Sequence, residues 1–135
     1  MRAMQLTELG SPLTLQDVAK PMAGPGEVLV RIEACGLNFG DLLIIKGTYQ
    51  EKPDLPATIG MEIAGVVEAV GAGVSLKPGT RVASYCGFGG LAEYIALPEA
   101  ICVPVPDQMS LGDAAAFLIA YGTSHVALDL SLIHI

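Results

Sequence analysis

Residues 60–74 read GMEIAGVVEAVGAGV. The β-branched and small apolar residues of this stretch, bounded by Gly60 and Gly71, predict a long strand over 62–70. Gly65 sits inside it, which marks a bulge or a place where another backbone comes close. A Gly-x-Glu-x-x-Gly followed six residues later by Gly71 is an uncommon spacing. Taken alone it is also what a glycine-bent strand looks like. Toward the N-terminus, residues 28–33 alternate apolar and polar, the period of a half-buried strand. Residues 2–8 and 13–18 read as a hairpin around the turn Gly10-Ser11-Pro12, and PMAGPGE at 21–27 excludes regular structure. Toward the C-terminus, Lys77-Pro78-Gly79-Thr80 is a turn, and short strands fit 81–83, 92–97 and 101–104.

Helices are few. Asn38 is placed to cap one over 39–46, with Asp41 adding charge to its first turn, Leu42 to Ile45 its apolar run and Gly47 its stop. An extended loop covers 53–58. Ser110 caps a final helix, with Asp113 in its first turn and AAAFLIAY at 114–121 continuing it. The result is mainly β with short helices, a small antiparallel barrel or sandwich. No repeat or low-complexity segment interrupts it.

Composition narrows the function classes. The chain has 135 residues, enough for one domain that buries roughly two-thirds of its unfolded surface. With 52% hydrophobic and 16% charged residues it is too apolar for disorder, and the excess implies a face that expects a partner. Fourteen acids against 7 bases give a net charge of −7, the wrong sign for a nucleic-acid surface. Cys35, Cys86 and Cys102 form no C-x-x-C pair and are odd in number, so reduced thiols and a cytoplasmic location are expected. The start, MRAMQLTELG, does not read as a signal peptide. The most apolar stretch, 114–135, is broken by Gly122, Thr123, Ser124, His125 and Asp129, so no membrane span is expected.

Two further segments bear on identity: ACGLNFGDLLIIKGTYQ at 34–50 and AAAFLIAYGTSHVAL at 114–128. In that order, after GPGEVLVRI at 24–32 and with the 60–74 stretch between them, they resemble the medium-chain dehydrogenase/reductase family. The likeness runs over residues 1–129 and is greatest to the zinc-free quinone oxidoreductase branch related to zeta-crystallin. It implies a chaperonin-10-like (GroES-like), partly open β-barrel that shapes the active site. It also implies a C-terminal helix leading toward a Rossmann domain that binds NADPH. No phosphate-binding Gly-x-Gly-x-x-Gly between strand and helix occurs here, because the glycines of 71–79 fall in a turn and those of 87–90 in a short loop. The Rossmann domain is therefore expected to be missing, and residues 130–135, with His134, read as an atypical tail that need not be native.

The resemblance also implies the chemistry. Zinc members hold their metal with Cys, His and Cys. Asn38, Met61 and Tyr121 stand at the matching positions, a poor donor set for zinc, so the site is expected to be metal-free. Glu62 remains as an ordered carboxylate, and Cys35 lies three residues before a ligand position. With no Lewis acid, an activated acceptor is the expected substrate: a quinone, or the conjugated C=C of an enoyl or alkenal compound, reduced by hydride from NADPH. Asn38 would donate to the acceptor carbonyl or touch the nicotinamide-ribose end; the alternative is a plain helix cap. Tyr49 matches an active-site tyrosine that binds substrate or donates a proton; the alternative is a loop aromatic covering apolar surface. Tyr121 and Thr123 match positions lining the nicotinamide pocket; the alternative is ordinary helix packing. Met61 reads as a pocket wall, Asp41 as support for its helix and His125 as surface. The resemblance further implies a homodimer for the full-length protein and little or no activity for the chain alone. A different class stays open, a non-catalytic co-chaperonin-like binding module, for which loop 46–58 is the candidate mobile loop and ring assembly the sign.

Overall fold

The structure, a computed structural model, describes residues 1–130. Two open antiparallel sheets make up its β-structure. The smaller has the order β2-β1-β4, from β1 (Arg2–Leu6), β2 (Thr14–Asp17) and β4 (Ala57–Thr58). The larger has the order β7-β3-β5-β6-β8, from β3 (Glu27–Gly36), β5 (Glu62–Val70), β6 (Arg81–Tyr85), β7 (Tyr94–Pro98) and β8 (Val103–Pro104). An isolated bridge between Ala3 and Ala92 links the sheets, beside a Met4 N–H to Leu91 carbonyl bond of 2.8 Å. The barrel expected to be partly open is thus a pair of sheets that do not close.

The strand over 62–70 is β5, at the centre of the larger sheet and buried through its first four residues. Its Gly65 answers to close approach: a Cβ there would overlap the Arg31 carbonyl of β3. Beside Gly65 the extra residue is on the partner strand, where the register slips between Ile32 and Ala34, while a second slip between Leu29 and Val30 leaves Glu68 of β5 extra. Three apolar clusters fill the interior. Val28, Val30, Ile63 and Val67 lie in the one centred on the large sheet, and Leu6, Ile44, Ile59 and Met61 in the one beneath the first helix. Each fully buried aliphatic side chain contributes about 1.5–3 kcal/mol. The third cluster sets Ala114 and Ala115 against Ala64 and Ala83. Its small side chains bring a helix close to the sheet. Gly36 permits the same approach, since a Cβ on it would stand 2.5 Å from the Ala115 carbonyl and 2.6 Å from Glu62 Oε1.

Helix α1 (Phe39–Ile45) matches the expected helix and ends at Gly47, whose φ of +72° stops it. The final helix does not run on from Ser110. It divides into α2 (Leu111–Ala115) and α3 (Leu118–His125), followed by a π-helical turn over Val126–Leu130. Ser110 caps α2 as expected, accepting from the Asp113 N–H at 3.0 Å. Other boundaries shift where pairing overrides pattern. β3 continues past residue 33 to Gly36 because β5 pairs with it that far. The expected loop 53–58 holds β4, which pairs with β1. The expected strand at 101–104 keeps only β8, after a 3-10 turn over Glu99–Ile101. The tail positions 131–135, His134 among them, lie outside the described residues.

Candidate active site

The site forms where three elements meet: the start of α1, the start of β5 and the start of α3. Glu62, the first residue of β5, is 2% exposed. Its Oε1 accepts from the Asn38 side-chain amide at 3.0 Å, and its Oε2 accepts from the Ile119 N–H at 3.0 Å. One buried carboxylate thus ties the turn before α1 to the first turn of α3. A negative group belongs at a helix N-terminus, where backbone N–H groups lack partners. This contact explains the divided helix, because it draws the chain into a new helical start at Leu118. Asn38 occupies the cap position of α1, and Asp41 closes that turn by accepting from the Asn38 N–H at 2.8 Å. Asp41 is 4% exposed. Burial pushes its carboxyl above the ordinary value and the nearby Glu62 charge adds to this, while the amides of Asn38, Gly60 and Met61 pull the other way.

Above this frame lies an open cleft of about 820 Å³. Asn38, Tyr49, Met61, Tyr85 and Thr123 line it, with apolar groups of α1 and α3 such as Leu43 and Ile119. Gly40 matters here: a Cβ on it would stand 2.8 Å from Met61 Sδ and 3.6 Å from the Tyr49 ring. Among the described residues no charged side chain lines the cleft. Its walls are apolar with a carboxamide and three hydroxyls, which suits a flat, neutral, carbonyl-bearing ring.

Asn38, Tyr49 and Thr123 therefore share one cleft, and Met61 is in its wall. Tyr121 is elsewhere. It stacks on Phe117 with centroids 4.6 Å apart and lines a separate depression with Pro106 and Met109. The physical reason is helical geometry, since positions two apart on one helix point to opposite sides and Thr123 takes the cleft side. Tyr121, expected to line one pocket together with Thr123, does not share this cleft. This also separates Tyr121 from Asn38 and Met61, so the three positions matching zinc ligands do not converge. Among the described residues no three His, Cys, Asp or Glu side chains gather as a metal site. His125 pairs with Asp129 at 2.7 Å on an exposed face. Tyr85 is a lining residue that sequence reasoning missed. It ends β6 opposite Glu62, a register no local pattern discloses.

The thiols stand apart from this chemistry. Cys86 donates to the Gly60 and Met61 carbonyls, and burial pushes it up to about 12. Burial likewise raises Cys35 and Cys102 to about 11. All three are neutral at physiological pH.

The fold and this site define a class. Residues 24–107 match the alcohol dehydrogenase GroES-like domain, and the chain belongs to that family. Over 129 residues it is 46% identical to quinone oxidoreductase-like protein 2 of Rattus norvegicus, covering 95% of this chain and 37% of the relative. It is 41% identical over 133 residues to the human synaptic vesicle membrane protein VAT-1 homolog, covering 95% of this chain and 34% of that one. Among solved structures, the quinone oxidoreductase of Thermus thermophilus, determined also as its complex with NADPH, superposes with a TM-score of 0.87 at 40% identity. That match covers 98% of this chain and 42% of the other. The likeness to the quinone oxidoreductase branch read from the sequence is found in these relatives. The chain spans well under half the length of the relatives it matches. No helix of the described residues is long and apolar enough to cross a membrane.

Proposed function

We propose that this chain forms the acceptor side of an NADPH-dependent reductase of quinones or conjugated carbonyl compounds, working without zinc in the cytoplasm. The observation that carries this reading is the cleft itself: an uncharged, largely apolar slot in which Asn38, Tyr49 and Thr123 converge. Relatives named quinone oxidoreductase, one of them solved with NADPH, support it.

The lining fits the nicotinamide end of the cofactor, a neutral planar ring with a carboxamide, through the Thr123 hydroxyl and the Asn38 amide. It does not fit the phosphates, which require cations or a glycine-rich helix start. On this reading the cofactor's phosphates are held by sequence matching the rest of the relatives, and the chain alone turns over little. When bound, the cofactor supplies a hydride. The protein's share is positioning and charge. Apolar walls from Leu43, Met61 and Ile119 exclude water around the acceptor ring. Glu62 holds one N–H of the Asn38 amide and so sets how that amide faces the cleft. The Tyr49 hydroxyl donates to the acceptor oxygen as negative charge grows there; it hands a quinone oxygen its proton and regains one from solvent, whereas the enolate of an enone takes its proton from solvent at the α-carbon. The products balance as hydroquinone, or saturated carbonyl compound, from one hydride and one proton.

The test joins residues 1–129 to the remaining length of the rat relative and measures quinone-dependent NADPH oxidation. Activity is expected, with Tyr49→Phe lowering kcat/KM about a hundredfold and Asn38→Ala about tenfold. A folded, NADPH-binding hybrid that reduces neither a quinone nor an enone would overturn the proposal. Unchanged kcat/KM in both variants would remove Asn38 and Tyr49 from it.

A further inference from the structure

Tyr85 reaches the cleft from the end of β6. It ends β6, and while the three residues before it are buried it is 46% exposed. Its ring lines the same cleft as Tyr49. Burial raises its hydroxyl pKa, and the neighbouring Tyr49 and Glu51 add to that, so the phenol stays protonated and able to donate. The cleft thus presents two phenol hydroxyls and, among the described residues, no charged group.

One carbonyl oxygen occupies one such donor, and two carbonyl oxygens occupy both. Resting on the function proposed above, we infer that Tyr85 is a specificity-determining residue that selects acceptors with two carbonyl oxygens, the quinones, over enones with one. Tyr49 donates to the oxygen common to both classes, and Tyr85 donates to the second. The chemistry agrees. A para-quinone takes up one hydride and one proton and ends with two hydroxyls; as one oxygen takes the hydride, the negative charge gathers on the opposite one until the proton arrives there. An enone takes the hydride at its β-carbon and the proton at its α-carbon, and charge develops on a single oxygen. A second donor therefore has an oxygen to hold in a quinone and none in an enone.

The test uses the 135-residue chain with amide chemical shifts as the readout. The probes are tetramethyl-para-benzoquinone, whose methyl groups block thiol addition to the ring, and isophorone, an enone with one carbonyl. Tyr85→Phe removes only the hydroxyl and keeps the ring, and the dispersion of the amide spectrum confirms its fold. The expected result is that Tyr85→Phe weakens quinone binding about fivefold and isophorone binding less than about twofold, while Tyr49→Phe weakens both. Equal weakening of both probes by Tyr85→Phe, or of neither, overturns the inference and leaves the reductase reading standing. If neither probe shifts the cleft amides of the unaltered chain, the acceptor-site reading itself falls.

Discussion

Both oxygens of the Glu62 carboxylate are engaged, one by the Asn38 amide and the other by the Ile119 N–H, in a nearly dry setting. A glutamine there presents one acceptor and one donor, so one of the two N–H groups would face an N–H. Glu62→Gln is therefore expected to cost about 2 kcal/mol in urea unfolding, the scale of a charge-assisted hydrogen bond lost in a buried place. An unchanged midpoint would contradict that role. Asp41 gives a pH-dependent counterpart. Among the described residues its Oδ1 has no partner that meets hydrogen-bond geometry, and its folded pKa lies above the ordinary 3.8. A raised carboxyl contributes most below the unfolded value and loses that contribution as pH rises through the folded one. The penalty of Asp41→Asn is thus expected to shrink as pH climbs from about 4 toward neutrality, followed by urea unfolding across that range. A penalty that grows with pH would mean the charged form is the favoured one.

Elements whose signals are local were legible in the sequence, and those set by distant partners were not. The long strand around Gly65 and the helix ended by Gly47 announce themselves through β-branched composition, bounding glycines and a cap. β4 is only two residues long and exists because β1 pairs with it from about fifty positions away in the chain. The break between α2 and α3 contains neither proline nor glycine, so nothing nearby predicts it; its cause is the carboxylate of Glu62. The site follows the same rule. Asn38, Tyr49 and Thr123 came from motif likeness, Tyr121 fell to the far side of its helix, and Tyr85 depended on strand register. At this scale Glu99 also fastens an element, since its Oε1 accepts from the Ser75 N–H and hydroxyl and from the Leu76 N–H, all within 2.9 Å. Those donors, the Ser75 hydroxyl foremost, hold its carboxyl below the ordinary value of 4.5. A depressed carboxyl stabilises above the unfolded value and loses this as pH falls through the folded one. Ser75→Ala is expected to move the Glu99 titration midpoint upward in carbonyl-carbon NMR; no movement would mean the backbone donors alone hold the charge.

The whole molecule presents two open sheets with short helices gathered at one end, and the cleft lies between two of those helices rather than inside the β-structure. That arrangement leaves the sheet core free to be rigid while the site stays open. Cys35, Cys86 and Cys102 are buried or half-buried, and burial raises their pKa values to about 11 or 12. The central claim is that the cleft between α1 and α3 is where a nicotinamide and its acceptor meet. Reduced nicotinamide mononucleotide titrated into the isotope-labelled chain tests it most directly, because the cleft and the depression around Tyr121 occupy different sides of α3. Amide shifts are expected at Asn38, Tyr49, Met61 and Thr123, with the amides around Met109 and Phe117 unmoved. Shifts confined to the Met109 and Phe117 side, or none at saturating ligand, would contradict it.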